Sequence, residues 1–129
     1  MNNSIRTIET ERAAPAGGHY VQATLFQNQL YISGQLPVQS DGRHTFEEPF
    51  GIQARQAISN LLEILKAAGG EASNLLKVNV YIVGVSHWQE FNSIYSEMLG
   101  EEKPARAIIP VPELHHGYLI EVDAVAAVF

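Results

Sequence analysis

The chain has 129 residues, enough for one domain with a single hydrophobic core, and we predict one domain over residues 1–129. It contains no cysteine, so disulfides, thiolate nucleophiles and cysteine-ligated metal sites are excluded, and a cytoplasmic location is expected. The formal net charge of -6, with eight scattered Lys and Arg residues, argues against a nucleic-acid-binding protein that neutralises phosphates. The chain has no apolar run near twenty residues and no basic-then-apolar N-terminal pattern, so we expect neither a membrane span nor secretion.

The first part of the chain is predicted to form three strands. A short strand is expected within residues 4–10. Residues 20–26 and 30–36 are rich in β-branched and aromatic side chains and are separated by a short polar stretch, which predicts two strands joined by a tight turn. The Asp41-Gly42 pair that follows is typical of a loop.

Two amphipathic helices are predicted from the spacing of apolar residues. The first follows the capping-box spacing of Thr45 and Glu48 and runs to about Ala68, and the second follows the same spacing of Ser86 and Gln89. Their apolar faces are formed by Ala54, Ile58, Leu61, Leu62 and Leu65 in the first helix and by Phe91, Ile94, Tyr95, Met98 and Leu99 in the second.

The remaining segments complete a mixed sheet. Residues 75–85, 105–111 and 118–129 are predicted strands, the second of them broken by Pro110. The predicted order is therefore β-β-β-α-β-α-β-β, in which each helix is a crossover and some strands must be parallel. Two helices can cover only one face of such a sheet, so we predict an α+β fold with both helices packed on one face.

The last predicted strand is apolar on both sides, which predicts an oligomer. One side carries Ile120, Val122, Ala124, Ala126 and Val128, and the other carries Leu119, Val125, Ala127 and Phe129. An apolar face that the helices leave uncovered needs a partner, and another copy of the same chain is the simplest one.

Arg106 and Glu121 are the residues that most favour a reactive site. Arg106 is a lone arginine in an apolar strand, and the alternative is that it is simply solvated or paired at the strand end. Glu121 and Asp123 share the second face of the last strand, where a buried carboxylate requires a cation or hydrogen-bond donors. A free Arg106 in a cleft would bind a small organic anion through two parallel hydrogen bonds, and Glu121 would act on a water as a general base. This pair suits hydrolysis at an electrophilic carbon.

The other polar candidates give weaker signals. His115 and His116 are adjacent, and in extended chain they would point to opposite faces and could not readily share a metal ion, so we expect no metal site. No serine stands in a nucleophile-elbow pattern. Ser33 either ends a strand as a turn residue or lies beside accessible backbone, because Gly34 follows it.

The chain resembles the YjgF/Rid family of reactive-intermediate (imine) deaminases from about residue 5 to residue 128. Its most specific part is "PAR" followed at the family's distance by "LIEVDAVA". Four further segments match in order and spacing: "GHYVQA", "LYISGQLPV", "QARQAISNLLEILKAAGG" and "KVNVYIVGVSHWQEFNSIY". The resemblance implies a chorismate-mutase-like fold, assembled as a homotrimer with an inner barrel of sheets, helices outside and three clefts between subunits.

The resemblance also implies roles for single residues. Arg106 falls on the family's carboxylate-binding arginine and Glu121 on the residue that positions the attacking water. Tyr20, Ser33 and Asn92 fall on other cleft positions, and the main chain of Ile108 falls where the family contacts the imine end of the substrate. The residues that the resemblance places at the site are Arg106, Glu121, Tyr20, Ser33, Asn92 and Ile108. It implies no cofactor.

The chain departs from the family at several cleft positions, which leaves the preferred substrate side chain open. Ile108 replaces a common cysteine, His19 replaces a common proline beside the cleft tyrosine, and Pro110 and Pro112 alter the following segment.

The resemblance implies hydrolysis of 2-imino acids, tautomers of enamines, to 2-keto acids and ammonia. One alternative is a pathway-specific deaminase of the aminomuconate type, which would need a longer cleft. Another is a non-catalytic trimer that binds 2-keto or amino acids as a regulator, or a protein that holds unfolded chains. Members have also been called endoribonucleases or translation inhibitors, a reading that the acidic charge disfavours.

Overall fold

The computed structural model describes residues 4–129, and these form one six-stranded sheet and two α-helices. Residues 1–3 of the predicted domain lie outside the described residues. In chain order the elements are β1 Arg6–Ile8, β2 Ala23–Phe26, β3 Gln29–Gln35, α1 Phe50–Ala67, β4 Leu75–Ile82, α2 Trp88–Leu99, β5 Ala105–Pro110 and β6 Ile120–Ala127. The predicted order of strands and helices is confirmed.

The sheet is mixed, as predicted, with the strand order β1-β2-β3-β6-β4-β5. Strands β4 and β5 pair in parallel and are joined by α2, whereas the other neighbouring pairs are antiparallel. Strand β6 lies between β3 and β4 and is antiparallel to both, so α1 connects two strands that run in the same direction. The C-terminal strand is thus the centre of the sheet, and its two faces decide where the core and the site lie.

One face of the sheet and both helices form the hydrophobic core. Helices α1 and α2 bury the apolar faces that their spacing predicts, with Leu62 and Met98 at the margin. Strand β6 contributes alternate residues to the same core, namely Ile120, Val122, Ala124 and Ala126. Fully burying each Leu or Ile side chain contributes about 1.5–3 kcal/mol, so this layer supplies most of the folding free energy. Among residues 4–129, no helix has the length and apolar character needed to cross a bilayer.

The opposite face of the sheet, hereafter the open face, is formed by the intervening residues. Glu121, Asp123, Val125 and Ala127 of β6 are only partly buried there, and Tyr31 of β3 is 47% exposed beside Val125. The alternation of the last strand is confirmed. The oligomer that we infer from this face stays a prediction.

The two predicted capping boxes are wrong. The Thr45 hydroxyl donates a hydrogen bond to the carbonyl of Pro37 instead, because Thr45 is buried under the preceding loop. Helix α1 starts at Phe50 after Pro49, and α2 starts at Trp88 after a short 3-10 turn that includes Ser86, and neither has a side-chain cap.

The strand predicted over residues 20–26 is shorter than expected and begins at Ala23. The cause is Gln22, whose side chain is 3% exposed and forms hydrogen bonds with the main chain of Thr10 and Ala14. Residues before Ala23 therefore fold as a loop that the Gln22 amide anchors.

Candidate functional site

The predicted site residues fall into two groups on the single chain. Tyr20, Ser33 and Glu121 line a cavity of about 770 Å³, hereafter the Glu121 cavity. Arg106 and Asn92 line a second cavity of about 400 Å³, hereafter the Arg106 pocket. Ile108, two residues after Arg106 on β5, packs partly buried against the hydrophobic core and lines neither cavity.

The Glu121 carboxylate lies directly against Gly34. A Cβ atom built on Gly34 would lie 2.6 Å from Glu121 Oε2, closer than any real contact of this kind. The register of β3 against β6 shifts between Ile32 and Gln35, so an irregularity of the ladder falls at this point. The bulge and the missing side chain together make room for the carboxylate at the wall of the cavity.

The two carboxylates on the open face differ in their partners. Asp123 accepts hydrogen bonds from Asn79 Nδ2 at 2.9 Å and from the Tyr81 hydroxyl at 3.0 Å, so it belongs to a structural network. Within residues 4–129, the Glu121 side chain has neither a hydrogen bond nor an ion pair. Burial raises the pKa of Glu121; the charge of His115 opposes this rise, and that of Asp123 adds to it. An unpartnered carboxylate with a raised pKa is suited to accept a proton.

Arg106 faces the other side of the sheet. It pairs in register with the buried Val78, and its guanidinium donates a hydrogen bond to Asn92 Oδ1 at 2.9 Å. The guanidinium carbon lies 4.9 Å from the centre of the Tyr95 ring, within cation–π range. In the described part of the chain Arg106 forms no ion pair, so its charge is available to an anion.

Tyr95 was predicted only as part of the apolar face of the second helix. Its side chain lines the Arg106 pocket and is 8% exposed, and its hydroxyl has no hydrogen-bond partner among residues 4–129. Burial raises the pKa of this hydroxyl, and the Arg106 charge lowers it. Because buried hydroxyls are nearly always hydrogen-bonded, the unpartnered Tyr95 hydroxyl is an exception, and it belongs to the ring that packs against the Arg106 guanidinium.

Arg106 and Glu121 lie on opposite faces of the sheet within one chain. Glu121 pairs in register with Tyr81 on the open face, whereas Arg106 lies beside α2 on the helix face.

The loop that contains Tyr20 borders the Glu121 cavity and is held in place by hydrogen bonds. The Tyr20 hydroxyl accepts a hydrogen bond from the Gly17 amide at 3.0 Å, and the Ser33 hydroxyl donates to the Val21 carbonyl at 2.7 Å. These contacts link the loop to β3, beside Glu121.

The prediction that His115 and His116 lie in extended chain is wrong. The two residues lie in a 3-10 turn, not in extended chain, and both line the Glu121 cavity together with His44. Within residues 4–129, no group of three or more His, Cys, Asp or Glu side chains could hold a metal ion. Sequence reasoning also missed His44 as a cavity residue, and no spacing signal could have found it, since it comes from a distant loop.

Residues 10–128 match the sequence profile of a family described as endoribonuclease L-PSP. The chain belongs to this family, also called the YjgF/Rid family. The human 2-iminobutanoate/2-iminopropanoate deaminase is 36% identical over 121 residues, which cover 94% of this chain and 88% of the human protein. A RutC family protein of Pyrococcus horikoshii is 36% identical over 119 residues, covering 92% of this chain and 94% of the relative.

Solved structures of YjgF/Rid proteins share the fold. The YjgF gene product of E. coli superposes with a TM-score of 0.89 at 32% identity, covering 95% of this chain and 98% of that one. E. coli TdcF, crystallised with bound serine, gives a TM-score of 0.89 at 29% identity with the same coverage. The expected family and fold class are confirmed.

Proposed function

We propose that this YjgF/Rid protein hydrolyses reactive 2-imino acids to 2-keto acids and ammonia. The observation that carries the proposal is the unpartnered, half-buried Glu121 carboxylate at the wall of a cavity, beside an Asp123 that is fully engaged. A protein that only bound an organic anion would gain nothing from a second free negative charge. The name of the human relative, an imine deaminase, supports the same reaction.

In the proposed reaction, Arg106 holds the substrate carboxylate and Glu121 activates water. The guanidinium offers two parallel N–H donors to the carboxylate, and the Asn92 contact and the Tyr95 ring fix its orientation. Glu121 accepts a proton from water, whose oxygen forms a bond to the imine carbon. The proton passes to the imine nitrogen, which gives a carbinolamine with hydroxyl and amino groups on the same carbon. Glu121 then moves the hydroxyl proton to the nitrogen while the C=O bond forms and the C–N bond breaks, so ammonia and the 2-keto acid leave.

The catalytic unit in this proposal is an inter-subunit cleft of a homotrimer. Arg106 and Glu121 lie on opposite faces of one sheet, so the substrate would lie between the Arg106 pocket of one subunit and the Glu121 cavity of the next. The partly buried apolar residues of the open face, such as Val125 and Ala127, would be covered in the same assembly. Tyr20 and Ser33 would then border the bound imine, and the main chain of Ile108 would contact its nitrogen.

The barrier to be lowered is modest, because such imines also hydrolyse in water. Orientation of the substrate by Arg106 and one general base together account for several orders of magnitude in rate. The proposal needs no cofactor.

A second candidate function is binding without turnover, as a sensor of 2-keto or amino acids. It is favoured by one specific observation, the serine bound to the related TdcF. The sensor also needs Arg106, but it assigns no task to Glu121.

The experiment that separates the two functions is ammonia release from imines generated in place by an amino-acid oxidase. The wild-type protein should exceed the spontaneous rate, and Arg106→Ala should return the rate to it. Arg106→Lys should also perform poorly, because an ammonium group cannot form the paired hydrogen bonds of a guanidinium. Wild-type turnover no faster than spontaneous hydrolysis would contradict the deaminase function and favour the sensor function.

A further inference from the structure

The Glu121 cavity of one chain extends beyond Tyr20, Ser33 and Glu121. Its volume of about 770 Å³ lies within the range of roughly 300–1,000 Å³ that is typical of pockets for drug-sized ligands. Apolar side chains including Leu36 and Val38 line it together with His44, His115 and His116. These residues border a part of the cavity that the imine group itself does not occupy.

Two rings of the cavity wall, His44 and His116, belong to a cluster of aromatic rings that also includes Tyr118 and Phe46 behind them. The His44 and His116 rings have centroids 4.5 Å apart, and the buried Tyr118 ring lies 5.8 Å from His44 and 6.1 Å from His116. The Phe46 ring is 5.4 Å from His44. All these separations fall within the range of favourable aromatic pairs.

The buried Tyr118 hydroxyl fixes the position of the His44 ring. Tyr118 is 1% exposed, and its oxygen accepts a hydrogen bond from the Thr45 amide at 3.0 Å. The Tyr118 oxygen is also 2.7 Å from His44 Nδ1. These two contacts hold the His44 ring in place beside the Thr45 main chain.

The His116 backbone adopts a conformation that most residues avoid. Its φ is 62°, and the following Gly117 has a φ of 76°, so two consecutive residues are left-handed. Glycine would accept this conformation with less strain, whereas a non-glycine residue pays for it. The turn places the His116 imidazole against His44 in spite of this backbone strain. Such strain is typical of functional positions.

We propose that the wall formed by His44 and His116 binds the side chain of the substrate, and that the preferred substrates are 2-imino acids with a bulky aromatic side chain. The proposal rests on the deaminase function proposed above and adds the substrate class. Two rings beside the apolar side chains of Leu36 and Val38 suit contact with an aromatic group.

The test uses His116→Gly in the full-length protein. Glycine fits the left-handed backbone, so the variant should fold, while the ring is lost. Imines are generated by an amino-acid oxidase from phenylalanine and from alanine, and kcat/KM is measured for each. We expect wild type to prefer the aromatic imine. We expect His116→Gly to reduce the ratio of aromatic to small substrate by about three- to tenfold, the size of one lost ring contact.

His87→Ala is the matched control. It also removes an imidazole, but His87 stacks on Phe50 at 4.4 Å and lies outside the cavity lining, so the ratio should stay at the wild-type value. A purely structural role for His116 predicts a higher melting temperature in His116→Gly with an unchanged ratio, and that result would overturn the proposal. So would a wild-type preference for the small imine.

Failure of the deaminase function is distinguishable from failure of the ring wall. If wild type turns over neither imine, the deaminase proposal is wrong, and calorimetric binding of phenylpyruvate and pyruvate replaces the kinetic comparison. Tighter binding of phenylpyruvate that His116→Gly weakens would support the wall. Equal affinities, or a preference that survives in His116→Gly, would overturn it.

Discussion

Gly34 and Glu121 occupy adjoining positions that leave no space for one more carbon atom. A Cβ on Gly34 would lie 2.6 Å from Glu121 Oε2 and 3.1 Å from its carboxyl carbon. We predict that Gly34→Ala displaces the carboxylate and lowers deaminase kcat by about tenfold or more, because small misplacements of a reacting group are costly. Imine turnover measures this effect. The far end of a side chain can move, so the melting temperature should change little, and a fully active Gly34→Ala would show that the position of Glu121 is unimportant.

The raised pKa of Glu121 predicts the pH dependence of the reaction. Burial raises this pKa above the ordinary value of 4.5, and the base must be deprotonated. The acid limb of kcat/KM, corrected for spontaneous hydrolysis, should therefore lie above pH 4.5. The His115 charge opposes the rise while Asp123 adds to it, so His115→Ala should shift the limb to higher pH. A limb that moved down or stayed in place would contradict this assignment.

Glu121→Gln should separate activity from stability. Loss of the general base should lower kcat by about a hundredfold to ten-thousandfold. A carboxyl whose folded pKa is raised contributes stability below its unfolded pKa, and this contribution is lost as pH rises through the folded pKa. At neutral pH the charged Glu121 therefore destabilises the fold, and Glu121→Gln should melt at a higher temperature than wild type, with the difference shrinking at acid pH. A lower melting temperature at pH 7 would show that Glu121 has a stabilising partner.

Tyr95→Phe tests whether the buried hydroxyl contacts the substrate carboxylate. Removing one donor should raise KM by about three- to tenfold and leave kcat nearly unchanged. The free protein should not be destabilised, because the hydroxyl has no partner among residues 4–129. An unchanged KM would leave Tyr95 with a packing role only.

Much of the fold could be predicted because the apolar residues of its strands and helices recur at regular spacing. The alternation that puts Val122 and Asp123 on opposite faces and the helical spacing of Ile58 and Leu65 both hold in the structure. The start of α1 could not be predicted, because the Thr45 hydroxyl bonds to the Pro37 carbonyl in the preceding loop, a contact that no spacing pattern signals.

The candidate site was harder to predict than the fold. Sequence spacing gave Arg106 and Glu121 as individual residues, but their placement on opposite faces depends on the registers in which β5 and β6 pair with β4. The conformation of His116 also depends on a turn that no periodic pattern signals.

The inferred assembly predicts the size of the particle in solution. Analytical ultracentrifugation at micromolar concentration should give three times the 14.2 kDa chain mass. The physical reason is the open face, which carries Tyr31 and Val125 without cover from the two helices. A stable monomer would exclude the inter-subunit cleft.

The placement of Arg106 and Glu121 in different subunits can be tested by mixing two inactive variants. Arg106→Ala and Glu121→Gln chains, co-expressed with different tags, should regain about one quarter of wild-type activity, because a random trimer pairs both intact residues at one cleft in four. If each site lay within one chain, the mixture would stay inactive, since every chain lacks one group. Wild type mixed equally with chains carrying both changes is the control. About one quarter of the sites should be active in this mixture if the cleft spans two subunits, but about one half if it does not.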